Sequence, residues 1–259
     1  SDIRNVGDPS MVSQHQPYTG SCSSDGCRDR LKMTEMAGKQ LKILSISDVE
    51  LSLLYCSQTA ERFSDVDLVI SCGDLPASYL DYISSSINAP LYYVFGNHQN
   101  WNEIHQERGE NPSLSVGYDL HRRCRQYNGQ LLIAGIEGSI CYNQGPKQYT
   151  QFQMWMNIFA LFPVLFWNKL RYGRFLDIFV THASPWKIHD QEDSAHIGIK
   201  AFRWFDRVFK PLYHLHGHIH VYRTSTVTET MYYQTRIVNT YGYREIFLDP
   251  SMLHRKERR

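Results

Sequence analysis

A chain of 259 residues with 42% hydrophobic content can bury one large α/β core or two small ones. Its formal net charge of +1 supplies no global attraction to nucleic acid or to an anionic membrane, which argues against a nuclease. The cysteines at 22, 27, 56, 72, 124 and 141 lack metal-knuckle or disulfide-framework spacing, and there is neither an export signal nor an apolar run long enough to span a bilayer. A reducing, cytoplasmic setting is the expectation.

Residues 1–40 are polar, without apolar periodicity, and read as a disordered tail or an appended segment. One catalytic domain then covers 41–250, and 251–259 is a charged C-terminal tail. Leu41 to Ile46 is the first expected strand, Leu51 to Phe63 a helix, Asp67 to Ser71 a strand, Ala77 to Ile87 a helix, and Leu91 to Phe95 a strand. Strands and helices alternating at this spacing predict βαβ units and a buried sheet. Trp101 to Gly117 reads as a long polar loop. Asn128-Gly129, between Arg122 to Tyr127 and Gln130 to Ile136, predicts a tight hairpin, and Gly135 to Gly145 is again expected to be loop. Phe152 to Leu170 predicts a helix kinked or interrupted at Pro163. Phe175 to Val180 and Leu212 to His216 predict strands around a helix from Ile197 to Phe209. The remainder, to Leu248, reads as a β-meander.

Five strand-like runs break into polar residues at their C-terminal ends: Asp48-Val49-Glu50, Gly73-Asp74, Gly96-Asn97-His98, Thr181-His182 and Gly217-His218-Ile219-His220. In a strand, residues i and i+2 share a face, so Asp48 with Glu50, and His218 with His220, can each aim two ligands at one point. With Asp74, Asn97 and His182 the set holds three carboxylates, three imidazoles and one amide oxygen, enough for two divalent cations sharing a carboxylate. In open α/β sheets, ligands gather beyond the carboxyl ends of strands.

These five ordered motifs resemble the calcineurin-like metallophosphoesterases over residues 41–250. Gly145-Pro146, Gln148-Tyr149-Thr150 and Ile188-His189-Asp190 are similar to a bacterial branch of that family. The resemblance implies a four-layer α/β/β/α sandwich of two mixed sheets. It implies that Asp48, Asp74 and His220 hold one metal, with Asp74 bridging, and that Asn97, His182 and His218 hold the other. His98 is then the general acid or the transition-state stabiliser beside the leaving oxygen, a metal-bound hydroxide is the nucleophile, and a phosphodiester is favoured over a monoester as the small substrate. A scaffold that has given up metal, or a nuclease of the same superfamily, is the alternative.

Two positions depart from the family pattern. Glu50 stands where the family has a His, and if it binds, the oxygen-rich site prefers Mn²⁺, with Fe, Mg²⁺ or Zn²⁺ as the other candidates. Gln99 stands where the family has Asp or Glu, and an amide orients His98 without raising its pKa. The arginine that follows Gly-Asp in protein phosphatases is replaced by Leu75-Pro76-Ala77, which argues against that subclass. His189 and His196 either line the pocket or belong to a polar surface loop, while His214 and His216 are expected within a strand. The aromatic segment Phe152 to Trp167 reads as a core helix in preference to a membrane-contacting one. Oligomeric state has no signature.

Overall fold

The computed structural model describes residues 40–98 and 117–254. The expectations for 1–39, for Gln99, for the loop that begins at Trp101 and for the last five residues lie outside them. The described residues belong to one unit, 38–259.

The first sheet has the order β13-β1-β2-β3-β4, from β1 (Leu41–Ser47), β2 (Leu68–Ser71), β3 (Leu91–Tyr93), β4 (Tyr118–Asp119) and β13 (Gly242–Leu248). β1, β2, β3 and β4 run parallel, and β13 closes the β1 edge in antiparallel register, with Leu41 opposite Leu248 and Ser47 opposite Gly242. The second sheet has the order β11-β12-β10-β9-β6-β5, from β5 (Arg123–Tyr127), β6 (Leu131–Ile136), β9 (Ile178–Thr181), β10 (Tyr213–His216), β11 (Glu229–Tyr232) and β12 (Thr235–Asn239). A short parallel pair, β7 (Ser139–Ile140) with β8 (Gln148–Tyr149), lies between β6 and the next helix.

α1 (Thr59–Arg62) and α2 (Ala77–Ile87) cover the first sheet, where Phe63, Tyr79, Leu80 and Ile83 pack on Leu44, Ile46 and Val69. α3 (Gln151–Ala160), α4 (Phe162–Tyr172) and α5 (Lys200–Phe209) cover the second, where Met154, Ile158, Leu165, Phe202 and Phe205 pack on Leu132, Ala134 and Phe179. The opposite strand faces meet each other: a Cβ at Gly135 of β6 would collide with Val94, Leu120 and the Val180 carbonyl. The result is the four-layer α/β/β/α sandwich of two mixed sheets. No described helix is long and apolar enough to cross a membrane.

The hairpin at Asn128-Gly129 forms with both residues at positive φ, 46° and 70°, the backbone a two-residue turn of this kind requires. The segment after Thr150 becomes two helices that break at Leu161, with Pro163 in the first turn of α4, where its missing N–H costs no helical bond. Thr150 caps α3 through a reciprocal capping box with Gln153.

Four expectations are corrected. Leu51 to Phe63 is mostly turns, and only Thr59–Arg62 is helical: the Leu54 and Thr59 N–H groups bond carbonyls three residues back in separate turns, and the Leu51 N–H donates to the Tyr79 hydroxyl (3.0 Å). Gly135 to Gly145 is not all loop, since it ends β6 and carries β7. The C-terminal meander is limited to one hairpin: β11 and β12 pair antiparallel, but β12 then pairs parallel with β10, and β13 crosses to the other sheet. Strand alternation reports that a face is buried but not which sheet buries it. The aromatic segment is core on one side only, through Met154, Ile158, Leu161 and Leu165, whereas Phe152, Phe159, Phe166 and Trp167 are exposed.

Candidate metal centre

The five polar strand ends converge on one region between the sheets. β1, β2 and β3 deliver Asp48, Asp74 and Asn97 from the first sheet, and β9 and β10 deliver His182 and His218 from the second. Asp48, Asp74 and His218 hold left-handed backbone conformations, with φ of 66°, 56° and 67°. Such angles are costly for residues with a Cβ and persist only where surrounding contacts impose them. Here the contacts are short hydrogen bonds: both Asp48 carboxylate oxygens accept from the His218 N–H (2.9 and 3.0 Å), and Asp74 Oδ1 accepts from the His98 N–H (2.9 Å). The glycines of two motifs follow from the same crowding. A Cβ at Gly96 would lie 1.9 Å from Asp74 Oδ1, and one at Gly217 would lie 2.5 Å from Asp48 Oδ2.

His182 is fully buried and faces acceptors on both ring nitrogens. Nδ1 donates to the Cys72 carbonyl (2.8 Å), and Nε2 lies 3.0 Å from Asn97 Oδ1 and 3.2 Å from Asp74 Oδ2. The Asn97 amide is oriented in turn by its Nδ2, which donates to the Tyr142 hydroxyl (3.2 Å). Burial alone would push the imidazole pKa down, but Asp74, Asp48 and the Cys72 carbonyl reverse this and raise it to about 9. Burial likewise opposes the charge on Asp74, yet the His182 charge and the His98 N–H hold its carboxyl well below the usual range. Asp48 goes the other way: burial raises it more than His182 and its hydrogen bonds lower it.

His218 is buried and donates from Nε2 to the Ala195 carbonyl (2.9 Å), which leaves Nδ1 as its lone-pair nitrogen. Burial and the neighbouring His182 charge depress its pKa to about 3. Single ligand atoms from Asp74, His182 and His218 all lie within 4.8 Å of one another.

This donor set fits a divalent cation. His182 Nε2 lies 3.0 Å from Asn97 Oδ1 and 3.2 Å from Asp74 Oδ2, so a cation among them would meet a carboxylate, an amide oxygen and an imidazole. The outer hydrogen bonds from His182 to Cys72 and from His218 to Ala195 fix which nitrogen each ring presents.

The remaining sequence-selected residues are placed differently. His98 is exposed, with Nε2 3.4 Å from the Tyr142 hydroxyl. His220 is exposed, hydrogen-bonds the Tyr222 hydroxyl (2.7 Å) and packs 4.9 Å from the Tyr241 ring, beside Asp48. Glu50 is exposed past the end of β1, where its charge is felt by Tyr79, and it is not among the clustered ligand atoms. His196 packs its ring 5.0 Å from that of His218 and bonds Asp193. His189 turns away, bonding His216 (2.9 Å) and Thr230 (2.9 Å) beside a cavity of about 360 Å³. His214 and His216 lie within β10. Tyr142, which touches both Asn97 and His98, is absent from every sequence motif; it follows β7 in a segment whose only signal is loop composition.

The fold and the clustered strand-end ligands define a metal-dependent phosphoesterase, and the chain belongs to the calcineurin-like phosphoesterase family, whose model, described as "Calcineurin-like phosphoesterase", matches residues 41–222. A search of curated protein sequences returns no match. Among solved structures, TT1561 of Thermus thermophilus is similar at 15% identity and a TM-score of 0.55, over 82% of this chain and 100% of that one. A second crystal structure is similar at 15% identity and a TM-score of 0.57, over 83% and 96%. Likeness at this identity concerns the fold. Family membership implies metal-dependent hydrolysis of a phosphoester.

Proposed function

We propose that the chain hydrolyses a small phosphodiester through a dinuclear centre, with manganese as the preferred metal. The observation that carries the reading is the convergence of Asp74, His182 and His218 at the ends of strands from both sheets. Asn97, His182 and His218 would hold one ion and Asp48, His220 and Glu50 the other, with Asp74 as the carboxylate available to both. Two such cations supply the Lewis acidity and the activated water that in-line displacement at phosphorus needs. The chain's own residues do the rest. Asp74 keeps its charge because the His98 N–H and His182 stabilise it. His98 faces solvent at the edge of the centre, where it protonates the departing oxygen, and Tyr142 holds it at that edge. Unpaired Cys56, Cys72, Cys124 and Cys141 suit a reducing, cytoplasmic setting.

The test is hydrolysis of bis-p-nitrophenyl phosphate and of p-nitrophenyl phosphate by metal-stripped protein resupplied with Mn²⁺. Activity that returns with the metal and is higher on the diester supports the reading. Equal or higher activity on the monoester removes the diester assignment, and no turnover of either ester removes the enzyme.

A further inference from the structure

The two outer helical layers treat solvent differently. α2, over the first sheet, turns Ser78 and Ser85 outward. α3 and α4, over the second, turn out Phe152, Met156, Phe159, Phe166, Trp167 and Leu170, with Trp167 60% and Leu170 82% exposed. Rings join the three helices: Phe159 packs on Phe162 (5.2 Å between ring centroids), Phe162 on Phe166 (6.0 Å), and Phe162 stacks on Trp204 of α5 (6.1 Å). The Gln151 side chain bonds the Gly198 carbonyl and the Lys200 N–H, tying the N-terminal ends of α3 and α5 together. Large apolar groups gathered on one exposed face mark an interaction surface, whereas scattered ones do not.

Charge identifies the partner. α3, α4 and α5 carry Lys169, Arg171, Lys200, Arg203 and Arg207, and their one carboxylate, Asp206, is fully buried against His214. The sequence holds no Asp or Glu between Glu137 and Asp177, and Asp177 is itself buried and paired with Arg174. The net charge of +1 therefore hides a strongly one-sided distribution. A second copy docked through this face would set these cations against their own kind. Phe, Trp and Leu beside Lys and Arg, without carboxylates, is the composition that enters the headgroup region of a bilayer, where long cationic side chains reach the phosphates and aromatic rings sit below them.

We propose that the outer face formed by α3, α4 and α5 docks on an anionic lipid surface. The face lies in the plane of the interface and does not span it.

Flotation of the full, metal-loaded chain with phosphatidylcholine vesicles, with and without phosphatidylglycerol, tests this. Binding to the anionic vesicles, weakened by salt and accompanied by a blue shift of tryptophan emission, is the expected result. Lys169→Gln with Arg171→Gln should weaken it roughly thirtyfold, from about fivefold per surface cation. Trp167→Ser with Leu170→Ser should also release the chain from vesicles. Trp167, Leu170 and Arg171 are exposed, Lys169 is half-buried over the Phe175 ring, and none of the four belongs to the proposed centre, so unchanged hydrolysis of a soluble ester shows that each variant is folded. Failure of the wild-type chain to float with anionic vesicles overturns the proposal, including where it self-associates or captures a protein instead. Equal binding by the charge variant overturns it as well.

Discussion

Asn97, His182 and His218 reach the centre as buried side chains whose second polar atoms are already engaged, by Tyr142, the Cys72 carbonyl and the Ala195 carbonyl. Glu50 and His220, on the other side, are exposed, and His220 is oriented by the surface hydroxyl of Tyr222. The first group loses little freedom when a ligand arrives, because its rotamers and tautomers are set by packing. The second must be ordered at that moment. The difference teaches that a symmetric list of candidate ligands need not give two equivalent sites: the side chains on the Asn97 side are preorganised, and Glu50 and His220 face solvent. Asp74 belongs with the first group, its Oδ1 accepting from the His98 N–H and its Oδ2 facing His182; in the proposed centre it would be the charge common to both sides.

That contrast can be broken most severely at Asp74. Asp74→Asn should reduce ester hydrolysis to the metal-independent background, because both sides lose their common charge; retention of activity in a steady-state assay would remove that shared role. His98→Ala should lower kcat by about 10²- to 10⁴-fold, the usual range for a general acid, while leaving Mn²⁺ binding in place. Tyr142→Phe frees Asn97 and His98 of one partner each and should cost about tenfold in activity, as the loss of an outer orienting bond does. Glu50→Gln should matter least, raising the Mn²⁺ concentration for half-maximal activity by about tenfold or less. An effect as large as that of Asp74→Asn would place both sides on an equal footing.

The preorganised side also has a pH signature. His182 is raised from 6.5 to about 9, so its contribution to folding is fully present below pH 6.5 and is lost as pH rises to about 9. His189 and His218 are lowered, to about 4 and about 3, so they favour the unfolded chain as pH falls below 6.5. Metal-stripped protein should therefore melt at its highest temperature near pH 6.5 and at lower ones toward pH 9. With Mn²⁺ bound the decline should disappear, because the ion has already displaced the His182 proton. A scanning calorimetry series with and without the metal checks both statements.

How much of this was legible in the sequence follows from which interactions are local. Asn128-Gly129 encodes its own turn, and Thr150 with Gln153 its own cap, so the hairpin and the start of α3 were readable. The strand ends were readable because a run of apolar residues stopping at Asp, Asn or His leaves few other meanings. Leu51 to Phe63 has helical apolar spacing but closes in separate turns, while its Leu51 N–H and Cys56 carbonyl bond Tyr79 and Tyr82, 28 and 26 residues away. β13 was misassigned for the same reason, since its partner β1 lies at the other end of the domain. The ligand residues could be listed, but their inequality could not: it arises from the Cys72 and Ala195 carbonyls, which no side-chain motif records.

The most direct test of the central claim is a calorimetric titration of metal-stripped protein with Mn²⁺, run beside Asp74→Asn. Two binding events of unequal affinity are expected in the wild type, the tighter on the Asn97 side, with the loss of both in the variant. Two equal events, a full metal complement in Asp74→Asn, or no binding by the wild type would contradict it.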